Sequence, residues 1–450
     1  MKNQNALETL HYCIKKIRSD GADSADAFMV ESRELSVRTR LGATETVERS
    51  ESKDLGIRIF FATNKGMKQA IVSSNDVTKK VLDRMIDQGI AMAKAAPEDP
   101  YVSLANHSKS PEKTKNLEIY DAKEPSIETL IENAKKTETA ALNVKNVINS
   151  EGAEAHYGQN KISLATSKKF AHQFDTSNSS VSVSVIAGKD GKMETDYDYS
   201  SAIFFSDLKS PEEIGKTAGG RAAAKLNPRK VATAQVPVIF EARIARELVG
   251  TFASAINGAS IARKTSFLKD KMGEKIFGPG INIIDDPERK RGLASRPFDG
   301  EGVTGKKIVL VENGILKSWL LDIRSANQLR LKTNGRASRG ISSPPLPHST
   351  NLYMENGKIP VKQMIAEIKN GFYITEAFGM GINIITGDYS QGASGFWIEN
   401  GEITYPVSEV TIAGNLAEMF ANLTPANDLE FLHSTNSPTL RIEGMTVAGD

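Results

Sequence analysis

The sequence predicts an α+β fold, with an N-terminal α/β sandwich-like domain followed by a mostly antiparallel β region with interspersed helices. Three observations predict this class. Apolar residues recur at helical spacing in a few long segments, and β-branched runs separated by glycine or polar turns are typical of strands. Two Asn-Gly pairs, Asn313-Gly314 and Asn400-Gly401, lie between such runs and suit two-residue hairpin turns with positive φ angles. The length of 450 residues allows about three domains, which we place at residues 1–115, 116–230 and 231–450.

The first predicted domain consists of a helix, several strands and a second helix. In the opening helix, Leu7, Leu10, Ile14 and Ile17 share one face, and Gly21 is placed to end it. Strand composition is found in four segments separated by polar or glycine turns: Ala27–Val30, Leu35–Leu41, Ile57–Phe61 and Lys68–Val72.

The second helix of this domain is expected to begin after a cap at Asn75. Its apolar residues have the spacing of one buried face: Val77, Val81, Met85 and Ile90. Two prolines follow, and the lysine-rich stretch from His107 to Lys115 then has the composition of a linker or an exposed loop.

The middle and last domains continue the mixture of helices and strands. Ser126 is placed to cap a helix, and Pro211 to open one, because a proline at the first helical position loses no hydrogen bond. In the middle domain we expect a helix over Ile127–Leu142, strands over Lys161–Ala165 and Ser179–Ile186, and a helix that ends before Pro228. In the last domain we expect a strand over Val236–Phe240, a helix over Ala242–Ile256, and short helices near Ser325–Leu331, Val361–Ile368 and Leu416–Leu423.

The second Asn-Gly hairpin has a register that its two-residue turn should fix. Ile398 is then expected to face Ile403, and Phe396 to face Tyr405, across the two strands. Pro406 cannot donate a main-chain hydrogen bond, so it should end the pairing or lie on an edge.

Charge and composition limit the classes of function. The 57 basic and 55 acidic residues leave a net charge of +2, which gives no electrostatic reason for binding nucleic acid or an anionic membrane. No apolar run approaches the roughly 18–20 residues of a membrane span, and charges interrupt the first helix, unlike a signal peptide. The single cysteine, Cys13, excludes an intramolecular disulfide. These features predict a cytoplasmic protein.

The sequence contains no recognisable catalytic set. Its six histidines are scattered, and neither H-E-x-x-H, C-x-x-C, G-x-S-x-G nor a Walker loop occurs. The most unusual segment is the glycine-rich stretch 292–302, which places Arg296, Asp299 and Glu301 among small residues. It is either part of a functional site or a structural loop held by its own ion pair. An autonomous hydrolase using Asp299, Glu301 or His348 is a further hypothesis.

Several segments together resemble one protein family. They are 36–48, 238–240, 263–268, 292–302 and, above all, the C-terminal run from Ile385 to Leu416. On these motifs the chain is similar to the TldD/PmbA family of metallopeptidase-related proteins over nearly its whole length. Gly387-Asp388-Tyr389-Ser390 and Gly395-Phe396-Trp397 resemble the PmbA type, also called TldE.

The resemblance implies that this chain does not supply a zinc site. Members of the TldD type carry H-E-x-x-x-H on a helix and a cysteine near the C-terminus, where two imidazoles and a thiolate hold zinc and the glutamate acts as base. At the matching positions this sequence has Gly250, Thr251 and Ala255, and its last segment, 437–450, contains no cysteine. We therefore expect no metal or other cofactor in this chain, with zinc in a TldD-type partner.

The resemblance also implies the partners. PmbA-type proteins pair with a TldD-type subunit, and the pair cleaves unstructured peptides, including a microcin leader and an antitoxin. Alone, the chain could pair with a second copy of itself. Peptide is expected to bind an exposed strand backbone at six residues: Gly381, Ile382, Asn383, Thr386, Gly387 and Asp388. The alternative is a non-enzymatic regulator of DNA gyrase or of a toxin–antitoxin system.

Overall fold

The computed structural model describes residues 5–106, 116–189 and 191–449. The two predicted domains at 1–115 and 116–230 share a single antiparallel sheet of seven strands. The strand order is β4-β3-β2-β1-β5-β6-β7. Its strands are β1 (Ser24–Arg40), β2 (Ala43–Thr63), β3 (Gly66–Ser74), β4 (Glu98–Asp99), β5 (Val147–Thr166), β6 (Ala171–Lys189) and β7 (Lys192–Ala202). The associated helices are α1 (Ala6–Ser19), α2 (Lys79–Ala95), α3 (Ile127–Leu142) and α4 (Pro211–Ala224). The stretch from His107 to Lys115, expected to be a linker or loop, lies outside the described residues.

The two faces of this sheet have different partners. On β1, the odd-numbered residues Ala27 and Met29 pack under α1 and α2, and Leu35 and Val37 pack under α3 and α4. Phe28, one position out of phase, belongs to a separate apolar cluster with the C-terminal part of the chain. Because side chains alternate along a strand, the helices cover one face and the C-terminal domain contacts the other.

The structure differs from two of the N-terminal predictions and confirms a third. The predicted strands Ala27–Val30 and Leu35–Leu41 are one continuous strand, β1, because its polar middle is paired on both sides, with β2 and β5. Asn75 does not cap α2. The Asp76 carboxylate instead accepts from the Thr78 amide at 2.8 Å, which holds residues 76–78 in a turn before the helix begins. The expected cap of α3 is confirmed, since the Ser126 hydroxyl accepts from the Thr129 amide at 3.1 Å.

The C-terminal part contains a barrel-like sheet and a smaller sheet. Its strands are β8 (Ala234–Phe240), β9 (Ile283–Asp285), β10 (Ile308–Glu312), β11 (Ile315–Leu316), β12 (Ala337–Ser338), β13 (Leu346–Pro347), β14 (Leu352–Met354), β15 (Asn370–Phe378), β16 (Asp388–Glu399), β17 (Glu402–Asn415), β18 (Leu423–Pro425), β19 (Thr435–Asn436) and β20 (Leu440–Ala448). Its helices are α5 (Ala242–Ala255), α6 (Gly258–Ala262), α7 (Ile323–Leu329), α8 (Val361–Ala366) and α9 (Leu416–Ala421). The larger sheet has the order β17-β16-β15-β8-β20-β18, and β17 also pairs with β20, which closes a ring of five strands. The smaller sheet has the order β11-β10-β9-β14-β19. The α+β class is confirmed.

Both Asn-Gly hairpins form. In the second, Asn400 and Gly401 have φ angles of 50° and 82°, and Ile398 faces Ile403 as expected. Phe396, however, faces Pro406 instead of Tyr405, because an irregularity between Phe396 and Ile398 shifts the register. Pro406 does not end the pairing with β16, but it lies outside the residues of β17 that pair with β20, 411–413.

The two parts of the molecule are joined by close packing. The ring of Phe298 inserts against the sheet, with its centroid 5.1 Å from those of both Phe170 and Phe174. At Gly56 of β2, a Cβ atom would overlap the carbonyl oxygen of Ile341. Among the described residues, no helix is long and apolar enough to cross a membrane.

Candidate functional site

Helix α5 lies at the centre of the C-terminal domain and has one accessible face. Its apolar residues, such as Leu248 and Phe252, are buried in the main core. On the other side, four residues at helical spacing remain accessible and define what we call the α5 face: Glu247, Gly250, Thr251 and Ser254. The helix Ala242–Ala255 therefore has one side buried in the core and the other side facing solvent.

The three positions that correspond to metal ligands and base in the TldD type lie on or beside this face. Gly250 and Thr251 are half-buried, and Ala255 is buried. A Cβ atom built at Gly250 would meet no atom within 4 Å, so the surface is open there. Glycine and alanine have no side-chain donor atom, and a neutral threonine hydroxyl is not a usual zinc ligand. Among the described residues, no group of three or more His, Cys, Asp or Glu side chains could hold a metal ion.

The loop that follows β15 lies beside the end of α5. The Ser266 hydroxyl donates to the Ala255 carbonyl at 2.6 Å, and the next amide, of Phe267, donates to the Ile384 carbonyl at 2.9 Å. Near the middle of the helix, burial and then the charge of Glu247 raise the pKa of Tyr389. The structure therefore places the segment proposed to contact peptide next to the end of α5.

This segment is a closed turn, not the exposed strand that the sequence suggested. The Gly381 carbonyl accepts from Ser390 at 2.7 Å, and the Asn383 amide donates to Asp388 at 2.9 Å. Gly387 donates to Asn383 at 2.8 Å. The remaining two candidates follow the same pattern: Ile382 forms an isolated bridge with Tyr389, and the Thr386 hydroxyl donates to Asp388 at 2.6 Å. The exposed groups here include the side chains of Met380 and Ile385, and contact with a peptide stays a prediction.

The loop containing Arg296, Asp299 and Glu301 lies between β9 and β10. Asp299 is 3% exposed and accepts from three amides, those of Glu301 and Val303 at 2.9 Å and that of Ala337 at 3.0 Å. Among the described residues it has no ion pair with Arg296, whose Nε and Nη2 atoms make no hydrogen bond. Main-chain donors, and not a direct ion pair with Arg296, therefore hold the Asp299 carboxylate in this loop.

The hydrolase hypothesis also named His348, and the structure does not place this histidine with the two carboxyl groups of the loop. Glu301 is 5% exposed and accepts from the Ile323 amide at 2.8 Å, at the start of α7. The ring of His348 is exposed, and its Nδ1 lies 2.8 Å from the Ser349 carbonyl. The structure therefore brings Asp299 and Glu301 together in the interior and leaves His348 at the surface.

Glu301 should make folding stability depend on pH. Burial, and next the charge of Asp299, raise the pKa of Glu301 well above its usual value. A carboxyl group with a raised folded-state pKa binds its proton more tightly in the folded chain, so folding stability falls as pH rises above about 4.3. Glu301→Gln cannot ionise. We expect the stability of this variant relative to the parent chain to increase as pH rises above about 4.3, measured as urea-unfolding free energies.

The matched control for this prediction is Glu402→Gln. Glu402 is exposed at the start of β17, so its substitution should produce no pH-dependent difference from the parent chain. A Glu301→Gln chain that loses stability relative to the parent as pH rises would contradict the expectation.

A second accessible feature, at the opposite end of α5, was not found by sequence reasoning. A cavity of about 310 Å³ lies between β7, α4, the first turns of α5 and the segment 428–439. Its lining includes Tyr199, Glu241, Arg246 and His433. These residues span more than half of the chain, so no local motif joins them. The only local sequence feature that could have indicated this cavity is the pair of charged residues Glu241 and Arg243, directly after the strand at Val236–Phe240.

Comparison with known protein families agrees with this architecture. Three family descriptions match consecutive parts of the chain. PmbA/TldA metallopeptidase domain 1 matches residues 25–93, the central domain 120–226, and the C-terminal domain 233–449.

Individual proteins match over their full length. The chain is 36% identical to the metalloprotease PmbA of Escherichia coli O157:H7, over 96% of this chain and 94% of that protein. It is 33% identical to a metalloprotease PmbA homolog of Haemophilus influenzae, over 100% and 97%. Among solved structures, a Bacteroides thetaiotaomicron protein proposed to be a modulator of DNA gyrase superposes with a TM-score of 0.88 at 25% identity, covering 100% of both chains. TldE from Thermococcus kodakarensis superposes with a TM-score of 0.83 at 23% identity, covering 98% and 100%, and thus shares the fold.

Proposed function

The chain belongs to the PmbA/TldD metallopeptidase family, and from that premise we propose that it is the non-catalytic, PmbA/TldE-type subunit of a cytoplasmic peptidase. In this proposal a TldD-type partner supplies the zinc centre, and the pair cleaves unstructured peptides. The single observation that supports it is the chemistry of α5. Gly250, Thr251 and Ala255 replace the two imidazoles and the carboxylate that such a centre needs.

The contribution of this chain would be to complete a shared enclosure and to position peptide. The end of helix α5 and the turn at 381–388 are linked through Ser266 and Phe267. Exposed apolar side chains on that turn, those of Met380 and Ile385, could cover apolar parts of an extended substrate. Neither feature requires a metal in this chain.

A peptidase assay on an unfolded peptide tests the proposal. This chain alone, a TldD-type partner alone and the mixture are compared with and without chelator. We expect cleavage to require the partner, to rise on mixing and to disappear with chelator. Cleavage by this chain alone would overturn the assignment of a silent subunit.

Two variants test which subunit supplies the catalytic base. Thr251→Ala in this chain should leave the rate of the mixture unchanged, because the threonine stands at the base position without acting as one. Changing the glutamate of the partner's H-E-x-x-x-H motif to glutamine should abolish cleavage, since a general base typically contributes about 10²–10⁴-fold. The opposite pattern would place the catalytic base in this chain.

A second candidate function is a binding regulator of DNA gyrase, which the proposed role of the Bacteroides thetaiotaomicron relative favours. The net charge of +2 gives no reason for direct DNA binding, so this role would require a protein–protein complex. Capture of purified gyrase by this chain without any TldD-type partner, together with no change in cleavage on mixing, would favour the regulator.

A further inference from the structure

The cavity at the first turns of α5 has the size and lining of a binding site for a small ligand. Its volume of about 310 Å³ lies at the lower end of the range for small-molecule sites, about 300–1,000 Å³. It is formed where the N-terminal sheet meets the C-terminal domain, and domain interfaces are frequent places for such sites. Tyr199, Tyr373 and His433 provide aromatic surface, and most other lining groups are polar or charged.

One end of the cavity is formed by a network of ion pairs. Arg221 lies 2.8 Å from Asp198, and Arg243 lies 2.8 Å from Asp196. The ion-paired cluster comprises three cations, Arg221, Lys225 and Arg243, and four carboxylates, Asp196, Asp198, Glu241 and Glu376. Of these, two carboxylates and two cations line the cavity: Asp198, Glu241, Arg221 and Arg243.

Glu241 is the member of this cluster that is least satisfied. It lies 3.6 Å from Arg221 and 3.8 Å from Arg243, both beyond hydrogen-bond distance. Its buried Oε2 atom has no hydrogen-bond partner among the described residues. Burial raises the pKa of Glu241 despite the two arginines. Because the Glu241 side chain is 22% exposed and lines the cavity, a cationic donor there would contact the accessible part of this carboxylate.

The other end of the cavity contains one cation, Arg246, that has no matching carboxylate among the described residues. The Nε atom of Arg246 donates to the Arg243 carbonyl at 3.0 Å, and no described carboxylate lies within ion-pair distance of Arg246. Lys209 also lines this end, and its nearest described carboxylate is that of Glu213, 3.5 Å away. Burial, and then the charges of Arg246 and Lys209, lower the pKa of His433 to about 4. The imidazole is therefore neutral near pH 7.

The acids facing this end do not cancel its charge. The Asp428 carboxylate accepts from the amide and hydroxyl of Thr439 at 2.8 Å and 2.7 Å. Glu430 also lines the cavity, and its side chain is exposed to water, where a charge interacts weakly with its neighbours. The cavity thus combines the Glu241 carboxylate, whose two arginine neighbours lie beyond hydrogen-bond distance, with the Arg246 guanidinium, which has no described carboxylate within ion-pair distance.

We propose that this cavity binds a small zwitterion, an α-amino acid or a short peptide, with its carboxylate on Arg246 and its ammonium group toward Glu241. Glu241 is the N-cap residue of α5 and Arg246 lies in its first turns, five positions later, so their Cα atoms are separated by about 7.5 Å along the helix axis. That separation leaves room for a ligand whose two charged groups each contact one side chain. The inference goes beyond the proposed function, because it requires neither a partner subunit, nor zinc, nor cleavage.

Calorimetric titration of the whole chain with four probes tests the charge pattern. Alanine and alanyl-alanine are zwitterions, N-acetylalanine has only the carboxylate, and alaninamide has only the ammonium group. We expect at least one zwitterion to bind saturably, and each singly charged probe to bind about tenfold more weakly or worse, since each loses a charge-assisted contact. The tighter zwitterion indicates whether the natural ligand is a free amino acid or a peptide.

Variants locate the binding. Arg246→Met should weaken binding of the zwitterion with the higher affinity by about tenfold or more. Arg246→Lys should retain part of that affinity. Arg263→Met is the matched control, because Arg263 is exposed beyond the cavity. The thermal midpoint of each variant without ligand shows whether it is folded; Glu241→Gln is the second test should Arg246→Met not fold, and it too should weaken binding.

Three results would overturn the proposal. They are the absence of saturable binding by either zwitterion, equally tight binding of N-acetylalanine, and affinity that survives both Arg246→Met and Glu241→Gln. None of these depends on peptidase activity, so the proposal fails independently of the function inferred above.

Discussion

Replacing Asp26 by alanine is expected to lower the free energy of unfolding by about 3–5 kcal/mol, the usual cost of removing one partner of a buried ion pair. Asp26 on β1 is 1% exposed. Its Oδ2 accepts from Arg58 Nε at 2.9 Å, and its Oδ1 accepts from Arg339 Nη1, also at 2.9 Å. Arg58 belongs to β2, whereas Arg339 comes from the C-terminal domain. The substitution would leave two buried guanidinium groups facing each other without their shared carboxylate.

The same site predicts a dependence on pH. Burial alone would raise the pKa of Asp26, but Arg339 and Arg58 outweigh it and hold the pKa below its usual value. A carboxyl group with a lowered folded-state pKa contributes stability above its unfolded value, about 3.9, and loses it as pH falls through the folded value. The difference in unfolding free energy between the parent chain and Asp26→Ala should therefore be full at neutral pH and shrink only in strong acid.

Glu31→Ala is the control for this prediction. Glu31 lies on the same strand and pairs with Lys53 at 2.9 Å, with both side chains about one-third exposed. Exposed pairs contribute roughly 0.2–1 kcal/mol, so this variant should remain close to the parent chain in urea unfolding. Equal costs for Asp26→Ala and Glu31→Ala would mean that the buried cluster contributes no more than an exposed pair.

The parts of the fold that the sequence predicted are those that local chemistry determines. Ser126 caps α3 and the two Asn-Gly turns form hairpins, because each depends on groups only a few residues apart. The pairing Phe396–Tyr405 failed for a different reason. The irregularity between Phe396 and Ile398 depends on the neighbouring strands of a closed sheet, and these are distant in sequence.

The candidate sites, too, could be predicted only where they depend on residues close together in the sequence or on a known pattern. The substitutions at Gly250 and Thr251 were visible in the sequence because the resemblance supplied the pattern to compare. The cavity was not visible, since Arg246 and His433 are nearly two hundred residues apart and meet only through the packing of α5 against the segment 428–439. Charges that look like ordinary surface residues along the chain become a site only in three dimensions.

The glycine-rich stretch 292–302 shows how the structure separates two interpretations that the sequence left equal. Asp299 satisfies three main-chain amides, and Glu301 caps the start of α7. Phe298, which precedes Asp299, packs on the face of the N-terminal sheet opposite the helices. These roles are structural, and they favour a loop that holds the two domains together over a catalytic site built on its carboxyl groups.

This interpretation predicts that Phe298→Ala lowers the free energy of unfolding by about 3–5 kcal/mol, as is usual for a buried phenylalanine. Phe298 is 3% exposed and joins a cluster with Phe28, Leu164 and Phe170, so its removal would leave a cavity between the domains. Phe378→Ala is the control, because Phe378 is 52% exposed and should cost only about 0.5 kcal/mol or less. Urea unfolding followed by circular dichroism gives both values. If Phe298→Ala were as stable as the control but slowed peptide cleavage by the reconstituted pair, the loop would have to be assigned to the site instead.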